Sequence, residues 1–325
     1  VATIGTNVLS LDEWVRRLTK DETRAIIEVA AQSNLGLSTM MVAAGNETEG
    51  NTTTVRTDYP SGTWTSMNEG VGTEASHTEE VWDAAGTLEG YSAINARYVG
   101  RSPDQAAARA QEEAAFVIGY AENVEDKVFN GDRSLFPKQF TGFTPRYNTL
   151  SGSDTAGQLV EGNGTGSTNT DLWMVAWGER KCSLFFGKNQ TGGLNVTDMG
   201  LRPWDQNGDG THIQAYVKHH EWTIGLKVED YRSVARIANI QTTTYPTDLV
   251  ELMIDAYYRI PSQLHDGGMK IYCNRNLVAA LHKQARTFST TQLSVDEYGG
   301  RPTVHFLGIP IIQTDAITDT NTEIT

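Results

Sequence analysis

The chain has 325 residues, 38% of them hydrophobic, and a net charge of −14. That length supports about two domains with cores of their own. The acidity argues against a surface built to grip nucleic acid or anionic lipid, although it allows loose confinement of a polyanion that carries its own counterions. Cys182 and Cys273 stand far apart, form no CxxC and suggest no disulfide framework, which fits a reducing compartment. The longest apolar run, "AAFVIGYA", is too short to span a bilayer, and no signal-peptide pattern opens the sequence. Asn-x-Thr triplets begin at Asn46, Asn51, Asn163, Asn189 and Asn195; in so Asn- and Thr-rich a chain they read as chance rather than glycosylation.

The first predicted helix opens with "SLDE", where Ser10 and Glu13 make a capping box. A second cap-like "TKDE" predicts a break, and a further helix carries Ile26, Ile27 and Val29 toward Gly36. Residues 45–90 are polar and poor in core-forming side chains. Within them "TTTVRTDY" and "TWTSM" have strand composition, with Pro60-Ser61-Gly62 as the turn between. A two-stranded ribbon without a core is marginal alone, so it needs another surface. "TLEGYSAINARYV", Thr87 to Val99, reads as the next strand.

The longest helix is predicted over 102–130, with Ser102 as N-cap, Pro103 first, Gln105 completing the box and Gly131 as the terminating residue. Ala106, Ala110, Ala114, Val117, Ala121, Val124 and Val128 trace its apolar stripe, with Arg109, Glu113 and Glu125 opposite. Gly119 interrupts it, at a cost near 1 kcal/mol relative to Ala, and reads as a bend point. "SGSDTAGQLVEGNGTGSTNT" resembles a flexible boundary, and its "GNGTG" lacks the dinucleotide spacing. Beyond it, "DLWMVAWG", "CSLFFG", "AYVKHHEWTIGLKVEDY" and "KIYCN" read as strands. Leu249–Arg259 reads as a helix, a second helix is capped by Asn274, and "VHFLGIPIIQTDAIT" reads as one buried strand. The class is α+β, with no βαβ repeat.

Chemistry is sparse. "DQNGDG" puts Asp205, Asn207 and Asp209 at positions 1, 3 and 5 of a calcium loop, but position 12 is Tyr216 instead of a bidentate Glu, and strands flank it instead of helices. It reads as a tight turn, with an ion only as an occasional visitor. His212, His219 and His220 lie on one predicted strand, too widely spaced for a metal site and read as solvent-facing or interface residues. The two cysteines sit in strand-like apolar settings and read as inert thiols. No catalytic motif, metal set or cofactor loop emerges, and the chain reads as a non-enzyme.

The ordered set "LDEWVRR", "TTTVRTDYPSGTW", "FTGFTPRYN", "DLWMVAWG", "VEDYRSVARIANI", "IYCNRNLVAAL" and "FLGIPI" resembles the major capsid proteins of tailed double-stranded DNA bacteriophages, the Hong Kong 97-like fold, in the branch of short-tailed phages. The resemblance covers nearly the whole chain. It implies an N-terminal arm over 1–44, an extended loop over 45–90 reaching across a neighbour, and a peripheral domain over 91–154. An axial domain over 155–298 and a C-terminal strand over 299–325 returning to the peripheral domain complete it. It also implies self-assembly through hexamers and pentamers into an icosahedral shell around double-stranded DNA, assembled in the host cytoplasm, with no membrane. A scaffolding protein, a portal and a cement protein are the implied partners. Val55, Arg56, Tyr59, Trp64 and Met67 are the expected interface residues of the loop. The fold's namesake crosslinks its loop through a lysine; here no Lys occurs between Asp21 and Asp126, so contacts must be non-covalent. An encapsulin shell and a calcium-dependent surface-binding domain are the alternatives.

Overall fold

The computed structural model describes residues 36–325 apart from 103, 191, 206–209, 266, 288–292 and 299–300. The helices expected before Gly36 lie outside these residues. Among the described residues the strands form two sheets. The first contains β1 (Val42–Ala44), β2 (Gly50–Asp58), β3 (His77–Asn95), β6 (Cys182–Phe186), β7 (Asn195–Asp205) and β8 (His212–Val228), ordered β1-β6-β8-β3-β2 with β7 also on β8. The second contains β4 (Leu159–Glu161), β5 (Asn169–Ala176), β9 (Val234–Gln241), β10 (Met269–Cys273), β11 (Leu293–Tyr298), β12 (Arg301–Phe306) and β13 (Ile309–Gln313), ordered β11-β12-β13-β10-β5-β9-β4. β6, β7 and β8 join the sheet of the extended loop, and β12 and β13 join the second sheet.

β5 explains how the layers are held. Successive strand residues point to opposite faces. Leu172, Met174 and Ala176 enter a core with Ile237, Ile271, Met253 and Leu281, under the helices Leu249–Arg259 and Arg275–Thr287. Trp173, Val175 and Trp177 enter a second core with Val128, Phe129, Phe143, Tyr272 and Leu226. A strand buried on both faces needs an unbroken apolar run, and "LWMVAW" supplies one. On the same face as Trp173, Arg236 donates to Asp171 (2.7 Å) and to the Tyr147 carbonyl (2.5 Å), and lies 4.9 Å over Trp173. Asn321 adds a bond to the same Asp171 oxygen (2.8 Å), and both charged residues are buried.

The long helix spans Gln105–Asn130, about 40 Å. Its N-cap is Asp104 rather than Ser102, because the Asp104 carboxylate accepts from the backbone N–H of both Ala106 and Ala107 (3.0 Å each). Gly131 is not left-handed (φ −60°); a Cβ there would stand 2.7 Å from the Phe140 carbonyl, so close approach requires the glycine. Of the expected stripe, Val124 and Val128 are buried and Ala121 half-buried, whereas Ala106, Ala110, Ala114 and Val117 are exposed. Arg109, Glu113 and Glu125, assigned to the opposite face, attach the helix instead, together with Phe116. Arg109 pairs with Asp198 (2.6 Å), Glu113 pairs with Lys218, and Phe116 stacks on His220 (4.9 Å). Glu125 is buried and accepts from Thr314 Oγ1 (2.5 Å), and burial pushes its carboxyl up.

Gly119 lies inside an unbroken helix, and a Cβ there would meet nothing within 4 Å. Packing within the chain thus does not require it. Gly119→Ala is expected to raise stability by roughly 1 kcal/mol, a gain of about 1–2 °C in melting temperature that calorimetry of the subunit would register.

Two further expectations are corrected. The Gly-rich stretch after Leu150 is docked rather than a linker: Gly164 N–H donates to the Asn239 carbonyl (2.7 Å), and a Cβ on Gly162 would come within 2.8 Å of the same oxygen. "VHFLGIPIIQTDAIT" is not one strand but spans the end of β12, the turn Leu307-Gly308 and β13. Both turn residues have positive φ (49° and 79°), as a tight hairpin turn demands.

Candidate assembly interface

The root of the extended loop is fixed by long-range contacts. β3 is 19 residues long: Ala85–Asn95 pairs with β8, and His77–Ala84 continues beyond it to pair with β2. At the junction Arg146 donates to the buried Asp83 (2.7 Å), whose other oxygen accepts from Val228 N–H (3.3 Å). Trp82 donates from its indole to Glu47 (3.1 Å), with Arg133 over its ring at 5.6 Å. These bonds tie the loop's base to the body as a defined arm.

Beyond the root the contacts stop. Val55 is half-buried on β2 and Arg56 is exposed, its guanidinium 5.7 Å over the ring of Tyr59, which is 70% exposed. "TWTSM" is not the returning strand: β2 pairs with β3, and residues 59–76 have no regular structure beyond a turn near Met67. Trp64 and Met67 are fully exposed. The strand composition of this segment has no partner strand among the described residues. Of the five interface residues expected from sequence, Val55, Arg56 and Tyr59 lie together along β2 and its end, and Trp64 and Met67 lie out on the connecting loop.

The other candidate sites behave differently. "DQNGDG" joins β7 to β8, whose last pair is Asp205 with His212. Asp205 Oδ2 accepts from Gly210 N–H (2.9 Å), and Tyr216, at the position where a calcium loop has Glu, lies within β8 under Arg109 (4.8 Å). Asn207 and Asp209 lie outside the described residues. Titration calorimetry is expected to show no calcium binding tighter than millimolar, and chelator to leave the melting temperature unmoved; a micromolar site abolished by Asp205→Ala would contradict this. His212 is exposed, His219 stacks on Tyr91 (4.7 Å), and His220 is buried rather than solvent-facing. His220 is hydrogen-bonded to Ser92 Oγ (3.2 Å), and burial pushes its pKa down. Cys182 and Cys273 are buried, and burial pushes both thiols up. Among the described residues no group of His, Cys, Asp and Glu could hold a metal ion.

Among the described residues, the body has two cores of its own and carries an arm on which Tyr59, Trp64, Met67 and Val71 are exposed. The chain is similar to one in the near-atomic structure of bacteriophage Epsilon15: 31% identical, TM-score 0.78, covering 100% of this chain and 99% of that one. Looser likenesses are an encapsulin from Synechococcus elongatus (12% identity, TM-score 0.46, 73% and 99% covered) and the capsid of Myoviridae phage XM1 (11%, 0.45, 69% and 97%). No curated protein matches. The family model described as major capsid protein GP7 matches residues 19–325.

The fold is accordingly the Hong Kong 97-like fold of phage capsids. The chain belongs to the major capsid protein GP7 family. It is a structural protein of the virion, one of many copies that assemble into the capsid shell. Family membership displaces the calcium-dependent surface domain, and the encapsulin likeness is too weak to compete.

Proposed function

We propose that the chain self-assembles, through hexamers and pentamers, into an icosahedral shell around the double-stranded DNA of a tailed phage. Residues 50–85 are the element that holds neighbouring copies. The observation that carries this reading is the full exposure of Trp64 and Met67 on a segment with no core of its own. Large apolar groups in such a position gain stability by burial against another surface, and identical copies supply that surface by symmetry. Val55, Arg56, Tyr59, Trp64 and Met67 form the contact, with Trp64 as anchor. The second sheet and its two helices meet their copies around the five- and six-fold axes. The role is structural rather than enzymatic. The net charge of −14 suits confinement of DNA without sequence-specific grip. A scaffolding protein guides assembly in the host cytoplasm, a portal occupies one vertex, and a cement protein replaces the covalent link that a lysine-free loop cannot form. Negative-stain microscopy of the purified chain, with and without scaffold, tests the reading. Closed particles support it, whereas a monodisperse monomer under every condition opposes it.

A further inference from the structure

Under the arm lies a groove of about 630 Å³. One wall is β2 from Thr52 to Thr57, with Tyr59 just beyond its end; the other is made by Arg180 and the segment Glu229–Arg232. Among the described residues β2 is the last strand of its sheet, so the row of backbone groups along its outer edge has no strand partner there. The charges in the groove are unevenly satisfied. Asp230 is held by Arg232 in a two-point pair (3.0 and 2.8 Å), and Glu229 is held by Lys227 (2.7 Å). Arg56 and Arg180 have no acidic partner among the described residues, and Arg180 is exposed.

The far part of the arm has the opposite character. In the loop 59–76 the two carboxylates, Glu69 and Glu74, are exposed, and no Lys or Arg occurs between Arg56 and Arg97; Asp58, Glu79 and Glu80 are exposed too but stand on the paired strands, Glu79 opposite Val55 and Glu80 opposite Thr54. Glu74 accepts from Gly62 N–H (2.9 Å) and Glu69 from Ser66 N–H (3.2 Å); neither bond neutralises a charge. The same segment contains the unpartnered strand composition of Thr63–Met67 and the exposed Trp64.

We propose that the loop 59–76 of one copy lies in the groove beneath the arm of the next copy. There its carboxylates meet Arg56 and Arg180, and Thr63–Met67 extends along the open edge of β2. This rests on the reading that the loop docks on a neighbour, and it names the landing site. Three complementarities coincide: an acidic loop with a groove holding two unpaired cations, an unpartnered extended segment with an open strand edge, and an exposed aromatic with a concave surface. Within one chain the loop does not occupy its own groove, since Trp64 and Met67 are fully exposed.

The test uses the full chain assembled as for the unmodified protein. Glu74→Cys with Arg180→Cys is expected to give, on oxidation of particles, interchain disulfide ladders that neither single variant gives; the two native thiols are buried. Separately, Arg180→Glu is expected to lower particle yield about tenfold, the effect of losing one charge pair of moderate strength, and adding Glu74→Arg to restore it. Particles that form normally yet show neither crosslink nor charge-swap rescue overturn the landing site but leave neighbour docking standing. A disulfide closed within one chain also overturns it. Replacement of the whole loop tests docking by itself, so the two failures are distinguishable.

Discussion

Replacing residues 50–85 with a short Gly-Ser linker is expected to abolish closed particles while leaving a folded, soluble subunit. The segment's ordering costs about 1–2 kcal/mol per residue. Its large apolar groups beyond the root, Tyr59, Trp64, Met67 and Val71, are exposed and offset little of that cost within the chain. The two cores that hold the body draw on residues elsewhere: Met40, Phe129, Trp173, Leu226 and Tyr272 in one, Leu172, Ile237, Met253 and Phe306 in the other. What the replacement removes from the body is the pairing of β2 with β3, the bonds of Asp83 to Arg146 and Val228, and the contacts of Trp82 with Glu47 and Arg133, so a loss of melting temperature accompanies the assembly defect. Trp64→Ala is expected to give a weaker version of the same defect, without any change in subunit stability. Sedimentation and circular dichroism, run together, separate the outcomes. An unfolded deletion would mean that the arm is part of a core, and normal particle yield would mean that it is decoration.

Asp171→Ala has the largest expected effect on stability. Removing one partner of a buried ion pair leaves the other charge uncompensated, at a cost of about 3–5 kcal/mol. Arg236 is buried on β9 between β5 and β4, its guanidinium over the Trp173 ring, and among the described residues keeps only the Tyr147 carbonyl as acceptor. Asn321, on the C-terminal segment, loses the same acceptor. Against a typical total of about 5–15 kcal/mol, this is a large share of the fold's margin. Urea unfolding should show a midpoint shifted strongly downward. Arg146→Ala at the root of the arm leaves Asp83 in a comparable position, although Arg146 is less deeply buried, so a smaller loss is expected there.

How much of this could be read from the sequence depended on where the deciding contacts lie. β5 was legible because burial on both faces writes an unbroken apolar run into "LWMVAW". The helix Leu249–Arg259 was legible because its periodicity and Pro261 are local signals. β3 was only partly legible: Glu79, Glu80 and Asp83 interrupt any apolar pattern, and its length is set by pairing with β2 and β8 rather than by burial. The turn at Leu307-Gly308 was hidden because leucine seldom adopts positive φ. The long helix misled in its first half, where alanines that look like a buried stripe are exposed and ion pairs with β7 and β8 make the attachment. Of the candidate interface, the apolar anchors and the missing core were visible in composition. The groove was not, because it joins Thr52–Tyr59 to Arg180 and Glu229–Arg232, segments more than a hundred residues apart.

The central claim is that the loop acquires its order from a neighbouring copy. Amide hydrogen exchange, compared between unassembled subunit and closed particle, tests it most directly. Residues 59–76 have few hydrogen bonds within the chain, so in the subunit they should exchange at nearly unprotected rates, while β5 and β10 exchange slowly in both forms. On assembly the account predicts strong new protection across 59–76, centred on Trp64, with the two cores unchanged. A loop that still exchanges freely inside closed particles would contradict it.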